Sequence, residues 1–238
     1  MSVFSFSARV SYDDVDSNMR MNLRGAMGYM QEAAMLHSGQ AGYSVADVER
    51  TRVTWMLVQW RVRLMEPAYW GDALTIHTWP RSMERVTSVR NFEVFGPNDV
   101  LAAIGESNWV LVNADTGRIT RITPNVAAAY DLTDRDVFDT PLPEIVSCGG
   151  ECTWSGVVGL RDIDTNNHVN NRVYLDYARE ALREEFAHIS FREVSVRYRK
   201  QLLLGDRIHC LYRCEGNRHM VDICGESGVV HGTVIFLT

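Results

Sequence analysis

The sequence predicts an α+β fold made twice over, each half a long helix wrapped by a curved antiparallel β-sheet. Three observations carry this. An Asp-rich loop recurs 148 residues after its first appearance. Each loop runs into a segment with the three- and four-residue apolar spacing of a helix. Each helix is followed by several consecutive β-type stretches, without the intervening helices that a parallel sheet needs.

The repeat is legible residue by residue. Asp14-Val15-Asp16-Ser17-Asn18-Met19-Arg20-Met21-Asn22 matches Asp162-Ile163-Asp164-Thr165-Asn166-Asn167-His168-Val169-Asn170. At the same offset Tyr29, Glu32 and Ala33 fall on Tyr177, Glu180 and Ala181. A second block, Val62-Arg63 then Gly71-Asp72, returns as Val196-Arg197 then Gly205-Asp206, now 134 residues apart. The first copy therefore carries about 14 extra residues, assigned to Gly39–Arg52.

In chain order, the first copy reads as a strand over Val3–Val10 and a helix over Leu23–His37, then strands over Thr54–Met65, Leu74–Trp79, Thr87–Phe95 and Leu101–Asn113. The second reads as a strand over Cys152–Val158, a helix over Arg172–Ala187, and strands over Ile189–Arg199, Arg207–Cys214, His219–Glu226 and Val229–Leu237. Val173, Tyr174, Tyr177, Ala178, Ala181, Leu182 and Phe186 mark the apolar face of the second helix. Between the copies, Asp131–Glu144 holds five acids, one Arg, Pro141 and Pro143, and reads as an exposed linker. The expected organisation is a first domain over 1–128, a linker over 129–147 and a second domain over 148–238.

Composition narrows the function classes. Of 238 residues, 46% are hydrophobic and 23% charged, which excludes a disordered or fibrous chain. No apolar run approaches the roughly 18 residues of a membrane helix. The start, Met1–Asp14, lacks the basic and apolar segments of a signal peptide, so a cytoplasmic location is expected. A net charge of −6 argues against general nucleic-acid binding. The five cysteines, Cys148, Cys152, Cys210, Cys214 and Cys224, are an odd set and read as free thiols. The Cys210 and Cys214 spacing fits one strand better than a metal site. With no HExxH, CxxC pair or EF-hand loop, neither metal nor cofactor is expected.

The string D-I-D-T-N-N-H-V-N-N at Asp162–Asn171, followed by Arg172–Glu180, resembles the active-site segment of the acyl-ACP thioesterases of plants and bacteria. Trp55, Pro67-Ala68-Tyr69-Trp70-Gly71-Asp72, Thr78-Trp79-Pro80 and Ser107–Asn113 resemble that family's first-half signatures, in order. The resemblance implies a tandem double hotdog. It also implies hydrolysis of acyl-[acyl-carrier-protein] to free fatty acid in fatty acid biosynthesis, with the catalytic Asp, Asn and His at Asp164, Asn166 and His168.

The chemistry of those residues can be read beside the resemblance. Alternating positions of an extended loop share a face, so Asp164, Asn166 and His168 can look into one cleft. Asp164 can act as general base towards water or as nucleophile. Asn166 can orient water or donate to the carbonyl, and His168 can take or return a proton. Free backbone N–H groups before a helix can bind a developing oxyanion. The same residue types also cap helices, a job that falls to Asn170 or Asn171, both also candidates for substrate binding. In the first copy Arg20 stands in the His position and cannot serve as base, so that copy is expected to be structural or substrate-binding, with Asp16 and Arg20 as an ion pair. Gln201 follows Tyr198-Arg199-Lys200 where many family members carry Glu. It can hydrogen-bond but not take up a proton, which shifts the burden to Asp164.

A long acyl chain needs an apolar tunnel, for which Met27, Met30, Ala33, Ala34 and Met35 offer adaptable lining or, equally, ordinary core. The carrier that the resemblance implies is acidic. Seven basic residues (Arg192, Arg197, Arg199, Lys200, Arg207, Arg213, Arg218) face three acidic ones between Phe191 and Arg218, a stretch suited to docking it. A monomer or a homodimer fits equally. Two rival functions stay open, an acyl-CoA thioesterase of the same fold and a non-catalytic acyl-binding hotdog protein. A hydratase would need a second His–Asp pair, and the G-x-S-x-G string of many serine hydrolases is missing.

Overall fold

In the computed structural model, residues 3–182 and 189–238 are described, and the chain divides into two units, Met1–Leu142 and Pro143–Thr238. The first unit begins with strand β1 (Phe4–Arg9) and helix α1 (Leu23–Gln40). The Asn22 side chain caps that helix, accepting the Gly25 N–H at 2.8 Å. After a short turn and helix α2 (Val48–Thr51), which occupy the expected insertion, come β2 (Val53–Leu64), β3 (Ala73–Glu84), β4 (Thr87–Phe95) and β5 (Leu101–Asn113). The sheet order is β1-β3-β4-β5-β2, with every neighbouring pair antiparallel.

α1 buries Leu23, Ala26, Met27, Met30, Ala33 and Ala34, one stripe at helical spacing. It packs against all five strands. Five strands at ~4.8 Å spacing span roughly 19 Å, about twice a helix diameter, so a sheet that meets one helix with every strand must curl around it. Trp60, Trp79 and Phe92 fill the fully buried space on the strands.

Two elements of this unit differ from the sequence reading. β3 does not stop at Trp79 but runs through Pro80 to Glu84. Its neighbour β1 reaches only as far as Thr78, and the β3–β4 register shifts between Pro80 and Ser82. Pro80 thus sits at a bulge beyond the edge partner, where a missing N–H costs little. The acidic segment after helix α3 (Pro124–Ala128) is strapped to the unit rather than free of it. Arg135 pairs with Glu93 through both carboxylate oxygens and lies 3.9 Å over the Trp79 ring, whose Nε1 donates to the Arg135 carbonyl. Phe138 is buried beneath Arg61, 4.0 Å from its ring.

The second unit repeats the plan. β6 (Glu151–Val157), helix α4 (Val173–Ala181), β7 (Glu193–Tyr198), β8 (Arg207–Glu215), β9 (Arg218–Gly225) and β10 (Val230–Leu237) form a sheet ordered β6-β8-β9-β10-β7. Position for position this is the order of the first unit. α4 buries Tyr174, Tyr177, Ala178 and Ala181. It starts one residue later than expected, and Leu182 is already extended. Residues 183–187, with Phe186, lie outside the described residues. Among the described residues no helix is long and apolar enough to cross a membrane.

Candidate active site

The two Asp-rich loops share most of their hydrogen bonds. In the second unit the Asp164 N–H donates to the His168 carbonyl (2.8 Å), Asn167 N–H to the Asp164 carbonyl (3.1 Å) and Asn170 N–H to the Asp162 carbonyl (2.8 Å). The counterparts in the first are Asp16 to Arg20 (2.7 Å), Met19 to Asp16 (2.9 Å) and Asn22 to Asp14 (2.9 Å). Asp164 Oδ1 accepts the Asn166 N–H and Asp16 Oδ1 the Asn18 N–H, both at 2.8 Å. Short acidic side chains that accept from the backbone two residues on are what make such a turn. Below each loop a helix tyrosine closes the motif: Tyr177 Oη donates to Asp162 and Tyr29 Oη to Asp14, each at 2.9 Å. Burial and the Asp162 carboxylate push the Tyr177 hydroxyl upward, so it stays a donor.

Against this shared frame the differences stand out. Asp16 Oδ1 also accepts the Arg20 N–H at 2.9 Å, whereas the His168 N–H makes no hydrogen bond to any described residue. Asp164 therefore keeps more of its lone pairs available, and a main-chain donor is left over beside it. The expected Asp16–Arg20 ion pair does not form. The attraction runs through the Arg20 backbone instead, because the carboxylate is already turned onto the loop's own N–H groups. His168 is half-buried, its imidazole likewise free of described partners, and Asn166 is exposed.

A second segment is fastened to this loop. Tyr198 Oη donates to the Asn171 carbonyl (2.9 Å), Tyr174 Oη to the Lys200 carbonyl (3.3 Å), and the Val169 N–H to the Leu202 carbonyl (2.9 Å). His231 Nδ1 holds the Gln201 carbonyl at 3.0 Å, leaving the Gln201 side chain exposed. The Asn170 side chain accepts the Arg172 N–H at 3.0 Å in the turn before α4, while the helix itself, with Arg172 at its N-cap position, has no side-chain cap bond.

In the first unit a cavity of about 60 Å³ opens between α1 and the strands. Ala34, Met35, Ser38, Trp55, Arg90 and Trp109 are among its walls. Tyr130 stands behind them, accepting from Trp55 Nε1 (3.1 Å) and donating to Ser38 Oγ (3.2 Å).

The model of the acyl-ACP thioesterase N-terminal domain matches residues 2–130, and that of the C-terminal domain matches residues 157–232. The chain belongs to the acyl-ACP thioesterase family. An oleoyl-acyl carrier protein thioesterase of Arabidopsis thaliana, chloroplastic, is 22% identical over 220 residues, covering 83% of this chain. The match spans 60% of that relative's own length. Among solved structures, an acyl-ACP thioesterase from Bacteroides thetaiotaomicron superposes with a TM-score of 0.89 at 18% identity, covering 99% of this chain and 97% of the other. The 12:0-ACP thioesterase from Umbellularia californica gives 0.83 at 18% identity, covering 99% and 96%. At such identities these structures establish the hotdog-type fold.

For a member of the thioesterase family, the residues singled out from sequence are distributed as follows. Asp164, Asn166 and His168 share one loop, with Gln201, Asn170 and Asn171 on or fastened to it. Of the candidate tunnel residues, Ala34 and Met35 line the cavity, while Met27, Met30 and Ala33 are sealed at 0% exposure beneath the sheet. Arg192, Lys200 and Arg207 are exposed and Arg197 is half-buried. Arg199 is also exposed, with its guanidinium donating to Thr233 Oγ1 (2.7 Å) and the Ile145 carbonyl (2.9 Å). Thr233 in turn donates to the fully buried Asp222 at 2.6 Å. Sequence reasoning missed Arg90 and His37. Strand alternation carried a signal for the first: Arg90 falls in phase with Ser88, Phe92 and Val94, all buried.

Proposed function

We propose that the protein hydrolyses the thioester of an acyl chain carried on acyl carrier protein, releasing a free fatty acid, with the second unit as the reactive half. Membership of the family through both halves supports the reaction class. The asymmetry of the two loops supports the choice of half, since only the second combines a titratable imidazole with a less encumbered carboxylate. In this reading a water oxygen attacks the thioester carbonyl carbon, and Asp164, assisted by His168, takes the water's proton. The carbon–sulfur bond breaks, and that proton goes to the departing carrier thiol. Asn166 orients the water or the carbonyl, and the spare His168 N–H is a donor for the developing oxyanion. Attack by Asp164 itself, through an anhydride, uses the same residues. The exposed Arg192, Lys200 and Arg207 are the carrier's landing points, and the free thiols suit a reducing compartment such as the cytoplasm.

The decisive comparison uses substitutions that keep the turn intact. Asparagine retains the Oδ1 that accepts the loop N–H, so Asp164→Asn and Asp16→Asn both preserve the loop. Asp164→Asn and His168→Ala are each expected to lower kcat by about 10²–10⁴-fold on an acyl-carrier substrate, the usual worth of a general acid or base. Asp16→Asn is expected to leave kcat unchanged. Equal losses in both halves would overturn the assignment.

A further inference from the structure

Strand β4 turns Arg90 into the first unit, where its side chain is 5% exposed. Nη1 donates to His37 Nδ1 at 2.9 Å and to Thr78 Oγ1 at 3.2 Å, and the guanidinium stands 5.9 Å from the Tyr130 ring centroid. A guanidinium only donates, so His37 Nδ1 must accept; the ring is neutral and carries its proton on Nε2. Burial, reinforced by Arg90, holds the His37 imidazole down to about 4, so it supplies no charge of its own at neutral pH.

Arg90 has no carboxylate partner among the described residues, and its Nε and Nη2 donate to none of them. A buried cation without a counter-charge is costly, and proteins rarely keep one without use. Here it lines the cavity, together with the hydroxyls of Ser38, Ser88 and Thr54. The wall residues Met35 and Val45 are 39% and 44% exposed, giving the cavity an apolar margin. We propose that this cavity binds a carboxylate borne on an aliphatic stem, the head held side-on by Nε and Nη2 of Arg90 and the stem running out past Met35 and Val45. Side-on pairing is the geometry in which a planar guanidinium binds a carboxylate most strongly. Binding there rests on the first unit alone and is read without hydrolysis.

The test is calorimetric titration of the whole chain with octanoate and with octanamide, which has the same shape but no charge. Octanoate is expected to bind at least about tenfold more tightly, and Arg90→Met to erase the preference. Without ligand, Arg90→Met is expected to keep or raise Tm, because an apolar side chain replaces an uncompensated charge. If Arg90→Met fails to fold, Ser88→Leu, which fills the cavity and leaves Arg90 in place, is expected to abolish octanoate binding. Equal affinity for the two ligands, or a preference that survives Arg90→Met or Ser88→Leu, overturns the proposal. Two further arms identify the source of the carboxylate. Competitive inhibition of thioester hydrolysis by octanoate marks the free fatty acid; faster turnover of the octanedioic monothioester than of the octanoic one marks the far end of the acyl chain. Failure of hydrolysis itself would count against the catalytic assignment and leave the binding result standing.

Discussion

Glu106 lies on β5 with 8% of its surface exposed, and its charged neighbours are Asp136, Arg61 and Arg81. Burial, then Asp136, pushes its carboxyl from 4.5 up to about 7, against the pull of the two arginines. An acid that is harder to ionise when folded favours the native state in its protonated form. Its contribution is therefore intact below pH 4.5 and is lost as the pH rises to about 7. Tm is expected to fall between about pH 5 and pH 7.5, and Glu106→Gln to flatten that slope. An unchanged slope in thermal scans of the variant would refute the account. At this scale the candidate site was partly legible. Asp162, Asp164 and Asn170 act through neighbours two to fifteen residues away, distances over which sequence spacing still specifies geometry. Arg90 meets His37 across 53 residues, and nothing local announces that meeting.

Gly25 shows how an element constrains one position. A Cβ there would come within 2.5 Å of the Asp14 Cβ and 2.8 Å of its carbonyl oxygen, so α1 crosses the loop at glycine distance. The second copy has Val173 at this place because α4 begins two residues later in the repeat than α1 does. Gly25→Ala is expected to destabilise the protein by ~1–3 kcal/mol, the usual cost of overpacking, read as a lowered urea midpoint. Elements were the most legible scale, since β4 and β5 have the limits that composition and alternation indicate. What escaped was the continuation of β3 through Pro80. A proline is tolerated there only because β1 ends before it, and the length of a neighbour cannot be read from the strand itself.

Across the whole molecule the acidic balance of −6 is uneven, with seven basic residues against three acidic from Phe191 to Arg218. Arg199 is exposed, but its guanidinium is engaged by Thr233 and the Ile145 carbonyl, so the proposed steering of a carrier rests on Arg192, Lys200 and Arg207. Raising the salt from about 0.05 to 0.5 M shrinks the Debye length from roughly 14 to 4 Å. It is expected to lower kcat/KM for carrier-linked substrate, while turnover of a small thioester without carrier stays level. A parallel decline in both would remove the docking role.

The matched bonds of the two loops also bear on how the copies differ. Every one of them uses backbone groups or the Asp, Asn and Tyr side chains; none uses the side chain of Arg20 or His168. The shared architecture of the turn therefore does not specify the side chain at that position. The turn accepts arginine or histidine there with no compensating change elsewhere in it.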